Sequence, residues 1–361
     1  MQVLRFIIFS LILISLNITL NAQSFSMKGQ FLASNLTSSD VPSGQSSLES
    51  NIGYIPTLSL FRKLDNNRLL DMELSYRLGR IYSGDSLMNN TDSFHRYWIR
   101  YSSEKIEARL GLQKIYFGPS QVLGLSWFDT FDLKDPSGQT DGVKAFRIRW
   151  FPSSYLSVWS WIIMNNQDTL SYGSRTEFST NKAEWGITFH QEPSGILQQI
   201  GQSNPFISNP HQRIALDYRY DGFIGFWNES ALISSEDLDV GIITAGIDYT
   251  LPITNGLPVM VESMHVLKEG NALKSSSSYT AFMTSLSINM IHQIMFISNM
   301  DWDENHISNY LRWSSIYDHY SLNLILSINP KRADYNIPLE YLPKTLAGFG
   351  TGIQFMFIYN H

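Results

Sequence analysis

Residues 105–113, KIEARLGLQ, alternate between apolar and polar side chains over their whole length. Successive side chains of a β-strand point to opposite faces, so a strand here would have one apolar face and one polar face. The even positions from 106 to 112 are apolar, while positions 105, 107, 109 and 113 carry a charge or an amide. The stretch therefore predicts a strand that separates an apolar environment from a polar one.

The same alternation returns at 97–101, 213–220, 321–328 and 348–359. After residue 22 the sequence contains no apolar run that approaches the about 20 residues of a membrane-spanning helix. In the last of the alternating segments, apolar and aromatic side chains occupy the odd positions from 353 to 359. These features predict strands that face lipid on one side and a polar lumen on the other.

Residues 1–22 predict a secretory signal peptide. Arg5 gives a basic start, an apolar core covers 6–16, and Ala22 is a small residue at the expected cleavage position. An N-terminal membrane anchor is the alternative, but the apolar run is shorter than the about 20 residues that a spanning helix needs. The sequence has no cysteine, so neither a lipid at the cleavage site nor a disulfide is available to it.

The composition is low in charge and rich in aromatic side chains. Aromatic residues make up 13% of the 361 residues and charged residues 16%, whereas soluble domains usually carry about 25% charged residues. This combination is typical of barrels that have a lipid-facing belt and aromatic girdles. The net charge is −6 and no basic tract stands out, so nucleic acid is not an expected partner.

The connections between the predicted strands alternate in length. Short connections are expected at 64–67, 102–104, 152–154, 180–183, 220–222, 252–256 and 317–319. Longer connections are expected at 37–50, 83–92, 118–141, 192–210, 234–239, 268–277 and 330–346. Outer-membrane barrels have short periplasmic turns at one rim and long extracellular loops at the other, so this alternation favours a barrel.

We therefore predict an all-β protein, a transmembrane antiparallel β-barrel over 23–361 with about eighteen strands, fourteen or sixteen being the alternatives. Its expected location is the outer membrane of a Gram-negative cell. A secreted β-sandwich or propeller is the soluble alternative, because alternation also suits a sheet with one face in water. The expected partners are outer-membrane lipids and lipopolysaccharide, the barrel insertion machinery and small hydrophilic solutes. Whether the chain forms a homo-oligomer is left open.

Two segments resemble the central region of porin-like proteins, namely 111–118, GLQKIYFG, and 142–150, GVKAFRIRW. In that family a strand with a Gly-x-Gln run leads into a long loop that folds into the lumen, and the next strand carries alternating basic residues. The resemblance implies that 118–141 is a constriction loop. The segment 348–359 resembles the closing strand of outer-membrane barrels, although the chain continues to His361 instead of ending in Phe or Trp. The residue usage is similar to that of Bacteroidota chains.

The alternation also predicts which charges face the lumen. Nine arginines are placed on the polar face: Arg77, Arg100, Arg109, Arg147, Arg149, Arg175, Arg213, Arg219 and Arg312. The candidate loop carries four aspartates against one lysine: Asp129, Asp132, Asp135 and Asp141 against Lys134. An acidic loop opposite a basic wall would set up a transverse field that orients polar solutes.

A second interpretation of these charges is a filled lumen. In this interpretation, wall carboxylates pair with the arginines and occupy the space: Glu73, Glu107, Glu177, Asp217 and Glu229. A barrel of sixteen or eighteen strands usually leaves an aqueous channel, which favours the pore. The preferred function is therefore an outer-membrane porin-like channel for passive diffusion of small hydrophilic solutes. A non-conducting barrel of secretion or surface assembly is the alternative, because both use the same lipid-facing pattern.

One group of residues raises an enzyme as a further alternative. His306, Ser308 and Asn309 lie close together, and outer-membrane phospholipases use Ser, His and Asn on the outer face of a barrel. The phospholipase motif continues Ser-Asn-Gly, whereas Tyr310 follows here. The sequence shows no other catalytic motif and no metal-ligand spacing, so neither an enzyme nor a cofactor is expected. The acidic loop could bind Ca²⁺ weakly.

Overall fold

The computed structural model describes residues 24–125, 128–129, 132–165, 168–194, 210–253, 255–270, 273–335 and 342–361. The signal peptide predicted at 1–22 lies outside these residues. Most of the loop predicted at 192–210 and part of the loop predicted at 330–346 also lie outside them.

Eighteen β-strands form one sheet in the described part of the chain. They are β1 (Ser24–Ser38), β2 (Leu48–Lys63), β3 (Leu69–Ser83), β4 (Ser86–Ser102), β5 (Ile106–Gln113), β6 (Val143–Ser153), β7 (Leu156–Met164), β8 (Leu170–Ser179), β9 (Ala183–Glu192), β10 (His211–Asp221), β11 (Gly225–Ser235), β12 (Leu238–Leu251), β13 (Leu257–Gly270), β14 (Leu273–Ser287), β15 (His292–Asp301), β16 (His306–Ile316), β17 (Tyr320–Ile328) and β18 (Thr351–Asn360). A 3-10 turn at Arg332–Asp334 lies between β17 and β18. Where the chain is described, no helix is long and apolar enough to cross a membrane.

The sheet closes on itself. Every strand pairs antiparallel with the next strand along the chain, and β18 pairs with β1 from Gln30↔Asn360 to Ser38↔Gly352. Closure leaves no strand edge with unpaired backbone groups, which is the condition for a sheet inside lipid. The predicted fold class, an antiparallel barrel, and the predicted eighteen strands are both confirmed.

Strands β5 and β6 show how the alternation becomes two faces. Their outward pairs are apolar, as in Leu110↔Phe146, whose side chains are 56% and 41% exposed. The next inward pair is Arg109↔Arg147, and Arg147 is 7% exposed. An outer face of large exposed apolar side chains is the arrangement that lipid, rather than water, stabilises.

The alternation ends at the Gly-x-Gln run. Gly111 has a φ of +123°, and a Cβ there would lie 2.0 Å from the carbonyl oxygen of Tyr97, so only glycine fits. Leu112, predicted to face lipid, is buried instead. Gln113 is also buried and donates a hydrogen bond to the carbonyl of Ala145 on β6 (2.9 Å). The run therefore marks the end of β5, where the chain leaves the wall.

The two rims differ as predicted in most places. At one rim, every connection between the described strands is short, and the longest are 64–68 and 252–256. The opposite rim holds the long connections 39–47, 114–142, 193–210 and 329–350.

Three long loops were predicted wrongly, at 83–92, 234–239 and 268–277. In each of these places the two consecutive strands come within two residues of each other along the chain, for example β3 and β4, which are separated by 84–85. The strands β3 and β4 are 15 and 17 residues long, longer than the about 9–11 residues that cross a bilayer. The polar residues there lie on strands that extend past the apolar belt, and polarity alone does not distinguish such strands from loops.

Candidate functional site

Residues 114–142 (the inward loop) connect β5 to β6, and their described parts, 114–125, 128–129 and 132–142, fold into the barrel. Ile115, Leu123 and Leu125 are at most 2% exposed and pack in one apolar cluster with inward side chains of β7 and β10–β14. A second cluster packs Leu133 against Tyr310 and its neighbours on β15–β17. Burying one large apolar side chain contributes about 1.5–3 kcal/mol. These contacts hold the inward loop against one half of the barrel wall.

Two buried wall carboxylates bind the backbone of the inward loop. Glu262 on β13 accepts hydrogen bonds from the N–H groups of residues 121–123, at 2.6, 2.9 and 2.7 Å. Glu229 on β11 accepts from the N–H groups of Ser120 and Leu125, at 3.4 and 3.3 Å. Both glutamates are at most 1% exposed. Because the two carboxyl groups provide acceptors for five loop N–H groups inside the barrel, this pair, the loop anchor, fixes where the loop lies.

The sequence interpretation missed this role. Glu229 was expected to pair with an arginine, but its contacts are loop N–H groups, and Glu262 was not singled out. A signal for both exists, because the strands around them are apolar on both faces, as at 240–247 and 259–267. A wall that is apolar on its inner face needs a covering element, and an isolated glutamate within it needs donors.

Tyr116 lies at the start of the inward loop. Its hydroxyl donates a hydrogen bond to the carbonyl of Ser120 (2.8 Å). Burial and the nearby carboxylates of Glu229 and Glu262 raise the pKa of the Tyr116 hydroxyl. The phenol therefore remains a neutral donor at neutral pH and keeps this turn of the loop closed.

Gly118 lies where the inward loop passes Glu229. Its φ is +99°, and a Cβ there would lie 2.3 Å from the Glu229 Oε1 atom. A side chain at this position would therefore displace the loop anchor as well as strain the backbone.

We expect Gly118→Ala to be more destabilising than Gly348→Ala. Gly348 has a φ of +84° and nothing within 4 Å of an added Cβ, so it carries the backbone strain alone. That strain costs about 1–2 kcal/mol in either variant. The loss of anchor contacts should lower the free energy of unfolding of Gly118→Ala by a further ~1–2 kcal/mol, measured by urea titration in lipid vesicles. Equal losses in the two variants would contradict the anchor.

Arginines from three neighbouring strands lie side by side on the inner wall. Arg100, Arg109 and Arg147 are direct cross-strand neighbours on β4, β5 and β6. Glu107 approaches all three, with N–O distances of 3.4, 3.8 and 3.0 Å, and Asp71 binds Arg100 at 2.6 Å. Like charges on adjacent strands repel, so these carboxylates are what allows the row to exist.

Two tryptophans support the same row. The guanidinium of Arg109 lies 4.4 Å from the ring of Trp98, and those of Arg147 and Arg149 lie 4.6 and 4.2 Å from Trp159. A cation over an indole face is stabilised by about 0.5–2 kcal/mol, more where water is excluded. The arginine row is therefore held in place on both of its sides.

A second network continues the row to β10. Arg175 on β8 binds both oxygens of Asp217, at 2.5 and 2.8 Å, and Glu177 at 2.8 Å. Glu177 also binds Arg149 at 3.0 Å. Three of the five carboxylates of the filled-lumen interpretation, Glu107, Glu177 and Asp217, thus pair with arginines as that interpretation expected.

The remaining predicted arginines differ in their surroundings. Arg213 on β10 is buried at 2% exposure. Arg219 pairs with Asp221 at the short-turn rim (2.9 Å). Arg312 on β16 donates to the carbonyl of Leu133 in the inward loop (3.4 Å).

Three of the four predicted aspartates bind the inward loop itself. Asp129, Asp132 and Asp135 accept hydrogen bonds from groups 2 to 13 residues further along the chain. Asp141 instead pairs with Arg77 on β3 at 2.8 Å. The expected arrangement of an acidic loop facing the arginine wall is therefore reached at one pair of the described residues. The physical reason is that short aspartate side chains cap nearby backbone N–H groups.

Open space remains on the side of the inward loop that faces away from β10–β14. A cavity of about 510 Å³ lies between the loop and strands β1–β3 and β18. Its lining includes Gln30, Asn51, Arg77, Gln139, Asp141 and Gln354. A second cavity, of about 310 Å³, lies on the other side of the loop start and is lined by Arg149, Arg175 and Arg219 with acidic partners.

The inward loop also touches the wall beside the larger cavity. The Gln139 amide donates to the Gln30 side chain on β1 (2.7 Å), and Gln30 donates to the carbonyl of Ser137 (3.4 Å). Gln30 lies next to Asn360 of β18 (3.2 Å). The loop thus reaches from β13 to β1 across the lumen.

The residues of the enzyme alternative are split between two faces of β16. Asn309 shares the outward face with Ile307, which is 51% exposed. His306 and Ser308 lie on the inward face, where the ring of His306 contacts Tyr335 (4.9 Å between ring centroids). A strand places neighbouring residues on opposite faces, so the three side chains do not converge. Over the residues the structure covers, no three potential metal ligands cluster.

No protein-family model and no curated protein sequence matches this chain. Solved structures match it over 94% of its length. Acinetobacter baumannii OccAB4 has a TM-score of 0.62 at 7% identity, with 99% of that chain covered. Pseudomonas aeruginosa OccK11 (OpdR) has 0.60 at 9% identity and 96% coverage, and Pseudomonas aeruginosa OprD has 0.59 at 9% and 95%. These neighbours are outer-membrane porins. At such identities the likeness is one of fold, and the fold of this chain is the closed 18-strand antiparallel barrel of porin structures.

Proposed function

We propose that the protein is an outer-membrane, porin-like channel for passive diffusion of small hydrophilic solutes. The observation that carries the proposal is the position of the inward loop, which is anchored to one half of the wall and leaves a polar cavity of about 510 Å³ along the other half. A sheet of eighteen strands encloses more space than side chains alone fill. The apolar outer face supports a location in the outer membrane, with its lipids and lipopolysaccharide as surroundings and the insertion machinery as assembly partner.

The test is single-channel conductance of the refolded mature chain in planar bilayers. We expect a steady, ohmic conductance that scales with salt concentration, because solutes diffuse through a fixed polar path. Insertion is checked in the same preparation by the gel shift between folded and heat-unfolded barrel. A barrel that inserts but carries no current would contradict the channel.

One observation favours the second candidate, a non-conducting barrel. The contact between Gln139 and Gln30 joins the inward loop to β1, so the loop touches walls on both sides of the lumen. If this contact closed the path, inserted barrels of the intact chain would be silent, and Gln30→Ala would open them. Conductance of the intact chain decides between the two candidates.

A further inference from the structure

This inference rests on the proposed function and concerns the charge of the solutes that pass. The inward loop divides the lumen. Its apolar side packs against β7 and β10–β17, where smaller polar cavities remain beside β8–β10 and beside β15–β18. The side that carries Asp135 and Asp141 borders the larger cavity, whose far wall is β1–β3 and β18. A solute that passes the loop on its open side therefore meets the groups lining this cavity.

The charges around this cavity are unequal. Among the described lining residues are the carboxylates of Asp129, Asp135 and Asp141 and one guanidinium, that of Arg77. Arg77 is already bound to Asp141 (2.8 Å). Behind the loop, Arg96 donates to the carbonyl oxygens of residues 140 and 141 (2.8 and 3.0 Å) and offsets the buried Asp129.

Arg77 offsets the charge of Asp141 and Arg96 offsets that of Asp129, so Asp135 is the third carboxylate of the cavity and neither arginine offsets it. Its contacts are the N–H and hydroxyl of Ser137, at 2.9 and 2.6 Å. These groups are neutral donors, so they orient the carboxylate without cancelling its charge. A cavity with low-dielectric walls focuses the field of such a charge onto the path of a solute.

The arginine row does not reverse this balance. Its members on β4–β8 are bound to Asp71, Glu107, Glu177 and Asp217. The smaller cavity, which Arg149 and Arg175 do line, lies at the start of the inward loop and away from β1–β3. Paired charges contribute a weak field beyond their immediate surroundings, because carboxylate and guanidinium cancel at a distance.

We infer that the passage between the inward loop and β1–β3 favours cations and uncharged polar solutes over anions, with Asp135 as the selectivity-determining carboxylate. The remainder of the lining suits such solutes. The side chains of Gln30, Asn51, Gln139 and Gln354 offer both hydrogen-bond donors and acceptors, which match hydroxyl and ammonium groups equally well.

The test is the reversal potential of the intact refolded barrel in a KCl gradient. We expect a K⁺-to-Cl⁻ permeability ratio of about two or more, and Asp135→Asn should bring it to about one. Asparagine keeps the side-chain oxygen that accepts from the Ser137 N–H, so the turn is retained. Asp132→Asn is the matched control, because Asp132 caps the N–H of Lys134 in the same loop (2.8 Å) and is absent from the described lining of the larger cavity.

Two results would overturn the inference while leaving the channel in place. One is a conducting intact barrel that prefers Cl⁻. The other is a permeability ratio that Asp135→Asn and Asp132→Asn change equally. A correctly inserted barrel without current would overturn the proposed function, and the inference would fall with it. Arg77→Gln provides an independent check, since removing the cavity cation should raise the ratio above that of the intact chain.

Discussion

Replacing Glu229 and Glu262 together with alanine is expected to turn a steady channel into one that closes frequently. Five backbone N–H groups of the inward loop lose their acceptors in this variant. Each buried donor left without a partner costs about 1–3 kcal/mol. The loop then loses its preference for β11 and β13 and can move into the cavity along β1–β3.

The expected size of this effect follows from the same numbers. A loss of about 1.4 kcal/mol changes an equilibrium tenfold, so we expect closures to become at least ~tenfold more frequent in single-channel records. Glu269→Ala is the matched control. Glu269 lies on β13, as Glu262 does, but it pairs with Lys274 and its side chain is 72% exposed. Records of the double variant that match those of Glu269→Ala would show that the carboxylates do not hold the loop.

Arg175→Met is expected to cause a large loss of stability. Arg175 is 5% exposed and binds both oxygens of Asp217, whose side chain is 12% exposed. Removing one member of a buried ion pair costs about 3–5 kcal/mol, because the other charge stays behind uncompensated. Glu177 keeps other donors, among them Arg149 and Trp159 (3.0 and 2.8 Å), so most of the loss should come from Asp217.

The measurement is the free energy of unfolding from lipid vesicles in urea. Arg80→Met is the control, since Arg80 and Asp92 form an exposed pair, with side chains 37% and 36% exposed, and such pairs contribute about 0–1 kcal/mol. Adding Asp217→Leu to Arg175→Met should restore part of the stability, because it removes the stranded carboxylate. Equal losses for Arg175→Met and Arg80→Met would contradict a buried network.

Much of the fold follows from the sequence because the information is local. The pairs Leu110↔Phe146 and Arg109↔Arg147 sort outward and inward by position alone, as the alternation predicts. The errors lie where this signal ends. Residues 83–92 were predicted to be a long loop, although β4 begins at Ser86 and runs through most of them. Alternation identifies a strand only while one face is apolar.

The candidate site was less accessible to sequence reasoning. The inward arginines were predicted because each occupies a polar position in an alternating strand. Their hydrogen-bond partners were predicted only in part. Glu229 was expected beside an arginine, and its donors turned out to be loop N–H groups 104 and 109 residues away in the chain. An isolated glutamate in an apolar wall indicates that donors are needed, but backbone N–H groups have no sequence signature, so the pattern could not tell which residues supply them.

The sequence by itself determined that the chain forms strands with one apolar and one polar face, and about how many there are, because side-chain direction along a strand is fixed by covalent geometry. Only the tertiary structure decided which side of the lumen the inward loop occupies and which charges remain unmatched there. Both depend on the hydrogen bonds from the N–H groups of residues 121–123 to Glu262, which lies 139 to 141 positions further along the chain. These hydrogen bonds form only after the sheet has closed.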